Sequence, residues 1–402
     1  MLLRLPLLLL TLPSVRGSAT TEASPQRPSG WEAFTRALEA YATSDSIVGA
    51  SALVLRDGRV LARHDFGWAD RARARRADTS SIYHWASITK TLTAVAILQL
   101  RDRGKLKLDD RVTTYVPELR QVHNRFGSMD DVTIEMLLSH SAGFQDPTWP
   151  YRRGRPWEPF EPTRWEQLVA MMPFQELRFA PGSRYGYSNP AFIYLARIIE
   201  QLTGDSWQTY VQKNLLTPLG LTRSYFGATP YHLAEFRSSN YSVVRDSTGR
   251  EAVVDNGPDF DPGITMPNSG WNAPLGDLAA WITFLSGAPG GNSELARRYD
   301  GVLGRRSLEE MWRGRHHAVE PVAPAEATAD SVGLSFFVLR RGGARFIGHT
   351  GSQAGFRSFF YLNPVTRAAV VVVFNTTNDA RPEQGDKGFR ALREAALALI
   401  RD

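Results

Sequence analysis

One helix-forming segment of this chain is so apolar that it has to lie in the protein interior. From Thr91 to Leu100 the predicted helix has small or apolar residues on every side. A helix without a polar face is stable only when other elements surround it. Arg101 and Arg103 in the last turn, with Gly104 after them, mark its end. The rest of the chain must therefore build a shell around this segment.

The helix opens with Ser87-Ile88-Thr89-Lys90, an unusual helix start. Ser87 fits an ordinary N-cap, but a capping box would place Glu or Gln where Lys90 stands. A cation in the first turn opposes the helix dipole by roughly 0.3–1 kcal/mol if it is exposed. A partly desolvated lysine gives up its proton more readily, and Lys90 lies on the helix face that carries the Ser87 hydroxyl. The spacing therefore indicates a nucleophile with an adjacent base, although a single such pair also arises by chance.

Two further short motifs combine residue types that can carry chemistry. Tyr187-Ser188-Asn189 stands directly before Pro190, where Asn189 can be interpreted as the N-cap of a helix that begins with proline. His349-Thr350-Gly351 follows the apolar segment 346–348 and can be interpreted as a strand end with a glycine turn and an incidental histidine. The capping interpretation accounts for Asn189 but leaves Tyr187 unexplained.

Hydrophobic periodicity predicts an α+β fold. Strand patterns occupy 49–56 and 60–67, joined by the hairpin signal Asp57-Gly58, and they return after Ser331. The chain between these regions is mainly helical. The later elements are predicted at Val332–Leu339, Arg345–Gly348, Ser358–Leu362 and Ala368–Phe374 for strands, and at Phe389–Ile400 for a closing helix. We therefore expect one antiparallel sheet built from both chain ends and flanked by helices, with a mainly helical subdomain inserted.

The predicted domain organisation has three parts. Residues 1–19 read as a secretory signal peptide with cleavage after Ala19, because a short apolar run follows Arg4 and small residues follow that run. This apolar run is far below the roughly 20 residues that a spanning helix needs. Residues 20–30 are a polar tether, and 31–402 form a single catalytic domain, with 31–86 and 331–402 as its α/β part and 87–330 as the helical insert. We expect a periplasmic or secreted protein without stable membrane insertion.

Composition excludes several classes of site. The chain has no cysteine, which excludes a thiol nucleophile, disulfides and thiolate metal ligands. Its net charge of +6 comes mostly from arginine, in short clusters interleaved with acidic residues, and this pattern favours a solvated surface over a nucleic-acid partner. The histidines lack the i, i+4 spacing beside a carboxylate that a helical zinc site uses. We expect neither a metal nor a cofactor.

The order Ser-x-x-Lys, Tyr-x-Asn and His-Thr-Gly resembles the serine β-lactamase and penicillin-binding-protein superfamily. It is most similar to the β-lactamase-related branch that holds class C β-lactamases, D-alanyl-D-alanine carboxypeptidases, D-aminopeptidases and esterases. Three further segments are similar to the family, at 137–144, 216–222 and 269–279. The resemblance covers Trp31 to Asp402 and implies the β-lactamase/transpeptidase-like fold.

The resemblance also implies a role for each motif residue. Ser87 would attack a carbonyl carbon and form an acyl-enzyme, while Lys90 and Tyr187 exchange the proton; which of the two is the base stays open. Backbone N–H groups of Ser87 and Ser352 would hold the oxyanion. The remaining implied substrate-binding residues are Asn189, which would hold Lys90 or the substrate, and His349, Thr350 and Gly351 on the pocket wall.

One position departs from the β-lactamases, whose third motif begins with lysine. Histidine at position 349 resembles the esterase and peptidase members and favours an ester or amide bond of a small substrate. A class C-like β-lactamase or a D-Ala-D-Ala carboxypeptidase is the alternative within the family, so ester, peptide and lactam substrates all stay open. A non-catalytic member that binds cell-wall peptide is the alternative of another class. The oligomeric state is not predicted.

Overall fold

A computed structural model of the protein describes residues 27–144, 162–257, 259, 261–318 and 329–402. The predicted signal peptide and most of the predicted tether lie outside these residues. Within the described ranges, no helix is both long and apolar enough to cross a membrane. The predicted α+β architecture is confirmed, because strands from both ends of the chain share one sheet around which the helices pack.

Fourteen strands lie in the described part of the chain. They are β1 (Gly49–Arg56), β2 (Arg59–Asp70), β3 (Arg75–Arg76), β4 (Ile82–His84), β5 (Tyr225–Phe226), β6 (Tyr241–Arg245), β7 (Glu251–Asp255), β8 (Trp271–Pro274), β9 (Ser331–Val332), β10 (Phe337–Arg341), β11 (Ala344–Gln353), β12 (Phe356–Leu362), β13 (Ala368–Phe374) and β14 (Thr376–Asn378). The main sheet has the order β3-β2-β1-β13-β12-β11-β10-β9. Two small sheets have the orders β14-β6-β7 and β4-β8-β5.

The helices of the described residues surround the sheet. They are α1 (Trp31–Ser44), α2 (Thr89–Asp102), α3 (Ile134–Leu138), α4 (Trp165–Met171), α5 (Pro190–Thr203), α6 (Trp207–Val211), α7 (Thr217–Leu219), α8 (Met266–Ser269), α9 (Leu275–Ser286), α10 (Ser293–Val302), α11 (Arg305–Met311) and α12 (Pro382–Ala398). Every residue of α2 from Thr89 to Leu100 is buried, as its apolar sequence predicts. The insert therefore packs around α2.

The pairing of β1 with β13 joins the two chain ends at the centre of the sheet. The two strands run antiparallel from Ala50 opposite Phe374 to Arg56 opposite Ala368. Because side chains alternate between the two faces of a strand, these strands contribute to a core on each side. Val370 and Val372 pack with α1 and α12, whereas the alternate valines of β13 join the core of the helical insert. β13 is buried on both faces, which explains its unbroken apolar sequence.

Several predicted element bounds are wrong. The predicted strand Val332–Leu339 is two strands, β9 and β10, interrupted near Ser335, whose φ of 68° is incompatible with a continuous strand. The predicted strand Arg345–Gly348 continues to Gln353, so the His-Thr-Gly motif lies within β11 and not at its end. The last helix begins at Pro382, earlier than the predicted start at Phe389. The division into 31–86, 87–330 and 331–402 stays a prediction.

Candidate active site

Ser87 lies in a tight turn that β8 holds in place. The turn is a 3-10 segment, Ala86–Ile88, between β4 and α2, so Ser87 is not the side-chain cap of the helix. Just before it, the Trp85 backbone N–H donates to Trp271 O at 2.8 Å and the Trp85 ring Nε1 donates to Ala273 O at 2.9 Å. These bonds fix the direction in which the turn leaves β4.

The residue before Ser87 has a strained backbone. Ala86 has φ 47°, in the left-handed region that residues other than glycine rarely adopt. Such a conformation costs on the order of 1–3 kcal/mol and persists only where the surroundings impose it. Ser87 itself is half-buried, which leaves part of its side chain accessible. The strained turn therefore presents a partly accessible hydroxyl at the edge of the core.

Lys90 is fully buried and its ammonium group contacts the Ser87 hydroxyl. Lys90 Nζ donates to Ser87 Oγ at 3.1 Å and to the backbone carbonyl of Asn268 in α8, also at 3.1 Å. The ammonium also lies 4.9 Å from the centre of the Tyr187 ring and 5.6 Å from that of Phe192. Lys90 thus touches the predicted nucleophile and lies against the face of the second predicted proton carrier.

Tyr187 reaches this point from the segment that enters α5. Its side chain is 8% exposed, and its ring stacks on that of His140 with a centroid distance of 4.5 Å. Asn189 precedes Pro190 as expected, but its side chain makes no capping hydrogen bond. The Ala191 N–H donates instead to Ser188 Oγ at 3.2 Å. Asn189 is therefore at the predicted N-cap position before Pro190, but its side chain does not cap the helix. It is half-buried and stands two residues after Tyr187.

The other side of the site is formed by β11, which packs directly against the Ser87 turn. A Cβ added to Gly351 would lie 2.3 Å from Trp85 O and 2.7 Å from Ser358 Oγ, so only glycine allows this close approach. Thr350 is buried. The structure therefore brings the third motif beside the first. Ser352, directly after this motif, is exposed to solvent.

His349 is buried and uncharged. Its Nδ1 lies 2.6 Å from Thr350 O, so Nδ1 carries the proton and donates to that carbonyl. Its ring packs on Phe337 at 4.8 Å and lies 6.5 Å from the Tyr187 ring. Burial, followed by the positive charge of Lys90, lowers the pKa of His349 to about 3, against the weaker opposing effect of the bond to Thr350 O. The third motif therefore contributes a neutral side chain where the β-lactamases carry a lysine.

The structure adds two contributors that the motif analysis did not assign. The Asn268 carbonyl holds Lys90, and a backbone acceptor carries no sequence signal of its own. His140 stacks on Tyr187, and its only sequence signal was its place in the family-like segment 137–144. Both come from the helical insert, where the sequence predicts helices but not their mutual contacts.

The sequence of the chain also matches a known protein family. The family model described as Beta-lactamase matches residues 34–395. The chain belongs to the beta-lactamase family. The predicted resemblance and fold are confirmed by this match, whereas the individual catalytic roles stay predictions.

Individual relatives of this family member are distant. Protein flp of Staphylococcus aureus is 26% identical over 337 residues, which are 84% of this chain and 61% of that protein. D-aminopeptidase of Gluconobacter oxydans is 26% identical over 83% of this chain and 57% of its own length. The crystal structure of a D-stereospecific amidohydrolase from Streptomyces sp. is 25% identical, with a TM-score of 0.67, and the match covers 91% of this chain and 98% of that one. The chain thus spans about three fifths of the two curated relatives.

Proposed function

We propose that this protein is a serine hydrolase that forms an acyl-enzyme on Ser87 and cleaves an ester or amide bond of a small substrate. The observation that carries the proposal is the contact of Lys90 Nζ with Ser87 Oγ at 3.1 Å in a buried setting. A serine hydroxyl is a weak nucleophile until a neighbouring base accepts its proton. Membership of the beta-lactamase family supports the same chemistry.

In the proposed reaction the Ser87 Oγ attacks the carbonyl carbon while its proton passes to the Lys90–Tyr187 pair. The oxyanion is held by the backbone N–H groups of Ser87 and Ser352. The pair then protonates the departing alcohol or amine, and the C–O or C–N bond breaks. Water attacks the acyl-enzyme and gives its proton to the pair. The pair passes that proton to Ser87 Oγ as the bond between Oγ and the acyl carbon breaks, which releases the acid and restores the Ser87 hydroxyl. The close packing of β11 on the Ser87 turn supports placing both N–H donors on one oxyanion.

We propose that the substrate carries no carboxylate that must be anchored on β11. A carboxylate-bearing substrate, such as a β-lactam or a peptide ending in D-alanine, needs a cation or several strong donors at its binding site. The pKa of His349, lowered to about 3 by burial and by Lys90, leaves that position neutral at ordinary pH. Neutral esters and amides are therefore preferred, and the similarity to a D-aminopeptidase and to a D-stereospecific amidohydrolase supports amides among them.

We also propose export to the periplasm or the medium. The support is the N-terminal sequence alone, an apolar run after Arg4 followed by small residues up to Ala19. Cell fractionation with N-terminal sequencing tests this: a mature chain beginning at Thr20 outside the cytoplasm is expected. A full-length chain in the cytoplasm would contradict it.

A substrate panel tests the hydrolase proposal. Wild-type protein, Ser87→Ala and the control Ser293→Ala, an exposed serine on α10, are assayed with p-nitrophenyl acetate, a D-amino-acid amide, a D-Ala-D-Ala peptide and nitrocefin. We expect turnover of the neutral ester or the amide by the wild type and the control, with loss in Ser87→Ala. Equal turnover in Ser87→Ala overturns the proposal. Binding of the peptide without turnover of any substrate indicates the non-catalytic alternative.

A further inference from the structure

His140 forms hydrogen bonds with the residues on both sides of Tyr187. It follows the short helix α3 and is 1% exposed. The carbonyl of His140 accepts from the Gly186 N–H at 2.7 Å, and His140 Nδ1 accepts from the Ser188 N–H at 3.1 Å. His140 thus holds the backbone immediately before and immediately after Tyr187. The two bonds restrict the position from which the Tyr187 side chain extends.

The imidazole also fixes the phenol ring itself. The His140 and Tyr187 rings lie nearly parallel, at 26°, with their centroids 4.5 Å apart. The Lys90 ammonium also lies close to the Tyr187 ring, 4.9 Å from its centre. Aromatic contacts of this kind stabilise a pair of rings beyond the effect of the area that they bury. Tyr187 is therefore constrained by a stacked ring as well as by the two backbone bonds.

The backbone of His140 is strained in a way that makes these contacts possible. Its φ is 55°, in the left-handed region where histidine and asparagine are enriched among residues other than glycine. Burial, and then the positive charge of Lys90, lower the pKa of His140 well below its usual value. The neutral ring keeps the Nδ1 lone pair that accepts from Ser188. A strained backbone at one residue persists only where surrounding contacts impose it.

We propose that His140 is a positioning residue for Tyr187, holding the phenol at Lys90 so that the proton of Ser87 can be exchanged between them. This inference rests on the proposed function, in which Tyr187 takes part in proton transfer. His140 does not touch the reacting atoms in this proposal. It acts through three contacts to residues 186–188, of which the stacked ring and the Nδ1 acceptor belong to the side chain and can be removed by substitution.

Two substitutions separate these contacts. His140→Asn keeps a side-chain acceptor and tolerates the left-handed backbone, but it removes the stacked ring. His140→Phe keeps a ring and removes the acceptor for the Ser188 N–H. The matched control is His123→Asn, at an exposed histidine outside the site. The activities of all variants are compared at a temperature below the measured unfolding temperature of each. The substrate is the one that the wild type turns over fastest.

The test is a double-mutant cycle with Tyr187→Phe. We expect each His140 variant to lower kcat by about 10- to 100-fold with KM nearly unchanged, because misplacing a reacting group by about 1 Å has effects of this size. In the Tyr187→Phe background the same variants should cause little further loss, since the residue they position no longer carries the proton. His123→Asn should match the wild type in both backgrounds.

The outcomes separate this inference from the proposed function. If Tyr187→Phe alone leaves kcat unchanged, the proposed role of Tyr187 fails, and the positioning role fails with it. If Tyr187→Phe loses activity but the His140 variants lower kcat equally in both backgrounds, or change KM alone, only the positioning role is overturned. If His140→Phe does not fold, His140→Asn, which retains the acceptor and suits the backbone, decides the question by the same criterion.

Discussion

The two walls of the candidate site differ in charge. The helical wall, formed by the Ser87 turn and the starts of α2 and α5, contains a buried lysine whose ammonium contacts the predicted nucleophile. The strand wall, formed by β11, presents a buried neutral histidine and a glycine pressed against the Ser87 turn. The wall that performs the proposed chemistry carries a charged group. The wall that is proposed to face the substrate carries a neutral one. Reaction type and substrate choice can therefore be tested separately, one wall at a time.

The largest effect is expected on the helical wall, for Lys90→Met. This change removes the group that contacts Ser87 Oγ, and loss of a positioned acid–base group lowers turnover by roughly 10²–10⁴-fold. We expect kcat/KM for the preferred ester or amide to fall by about 10³-fold or more. The control is Lys105→Met, at an exposed lysine beyond α2. Retention of most activity in Lys90→Met would show that this wall does not activate the nucleophile.

On the strand wall, Gly351→Ala should have the next largest effect. The new Cβ would lie 2.3 Å from Trp85 O, so β11 has to shift away from the Ser87 turn. A displacement of this kind misplaces the Ser352 N–H, and we expect about a 10²-fold loss of kcat. Gly276→Ala, where the added atom meets nothing within 4 Å, is the matched control. A fully active Gly351→Ala would mean that contact between the two walls is not needed for turnover.

We also expect an acid-sensitive fold, because three buried neutral imidazoles lie in or next to the candidate site: His349 in β11, His84 at the end of β4 and His140 after α3. Burial lowers the pKa of His349 to about 3, that of His84 to about 3, and that of His140 well below its usual range. The unfolded chain binds these protons near pH 6.5 and the folded chain does not, so stability is full above that pH and declines as pH falls toward 3. Each such group contributes a slope of up to about 1.4 kcal/mol per pH unit.

Denaturant unfolding between pH 7 and pH 4 measures this slope. His84→Gln should lower the slope of the unfolding free energy against pH by nearly one proton, about 1.4 kcal/mol per pH unit, in this range. His123→Gln, at an exposed position, is the matched control. Equal slopes for the wild type and His84→Gln would contradict a neutral buried His84.

The smallest effect is expected for His349→Lys, which places a cation on the strand wall. A charge-assisted hydrogen bond contributes about 1.5–3 kcal/mol, and the lower end of this range corresponds to about tenfold. We therefore expect relative activity on carboxylate-bearing substrates to rise by at least about tenfold. The readout is the ratio of kcat/KM for nitrocefin to that for the neutral ester. His349→Gln, which stays neutral, should leave this ratio unchanged. A lysine variant with the same ratio as glutamine would show that the neutral residue does not set substrate choice.

Local pattern predicted much of this fold. The hairpin at Asp57-Gly58, the buried helix α2 and the strand β13 follow directly from turn residues and periodicity, and the structure confirms them. The motif at 349–351 was predicted at a strand end, because its glycine and polar residues resemble a turn. In the structure β11 continues through it, since tertiary contacts with β12 and the Ser87 turn override local preference.

The site could be predicted only as far as its residues carry sequence signals. Ser87, Lys90 and Tyr187 stand in recognisable motifs, and the structure places them together. The Asn268 carbonyl and the stacking of His140 on Tyr187 depend on how α3, α5 and α8 pack, and no local pattern encodes that packing. The strain at Ala86 likewise results from tertiary contacts, since alanine does not favour a positive φ.

Identification of the acylated residue tests the proposed chemistry most directly. Wild-type protein is quenched during turnover of a slowly deacylating ester, or labelled with a fluorophosphonate, and the adduct is located by peptide mass spectrometry. We predict a single adduct on the Ser87 hydroxyl, which is absent from Ser87→Ala and retained in Ser293→Ala. An adduct on another residue, or sustained turnover without any modification of Ser87, would contradict an acyl-enzyme at this position.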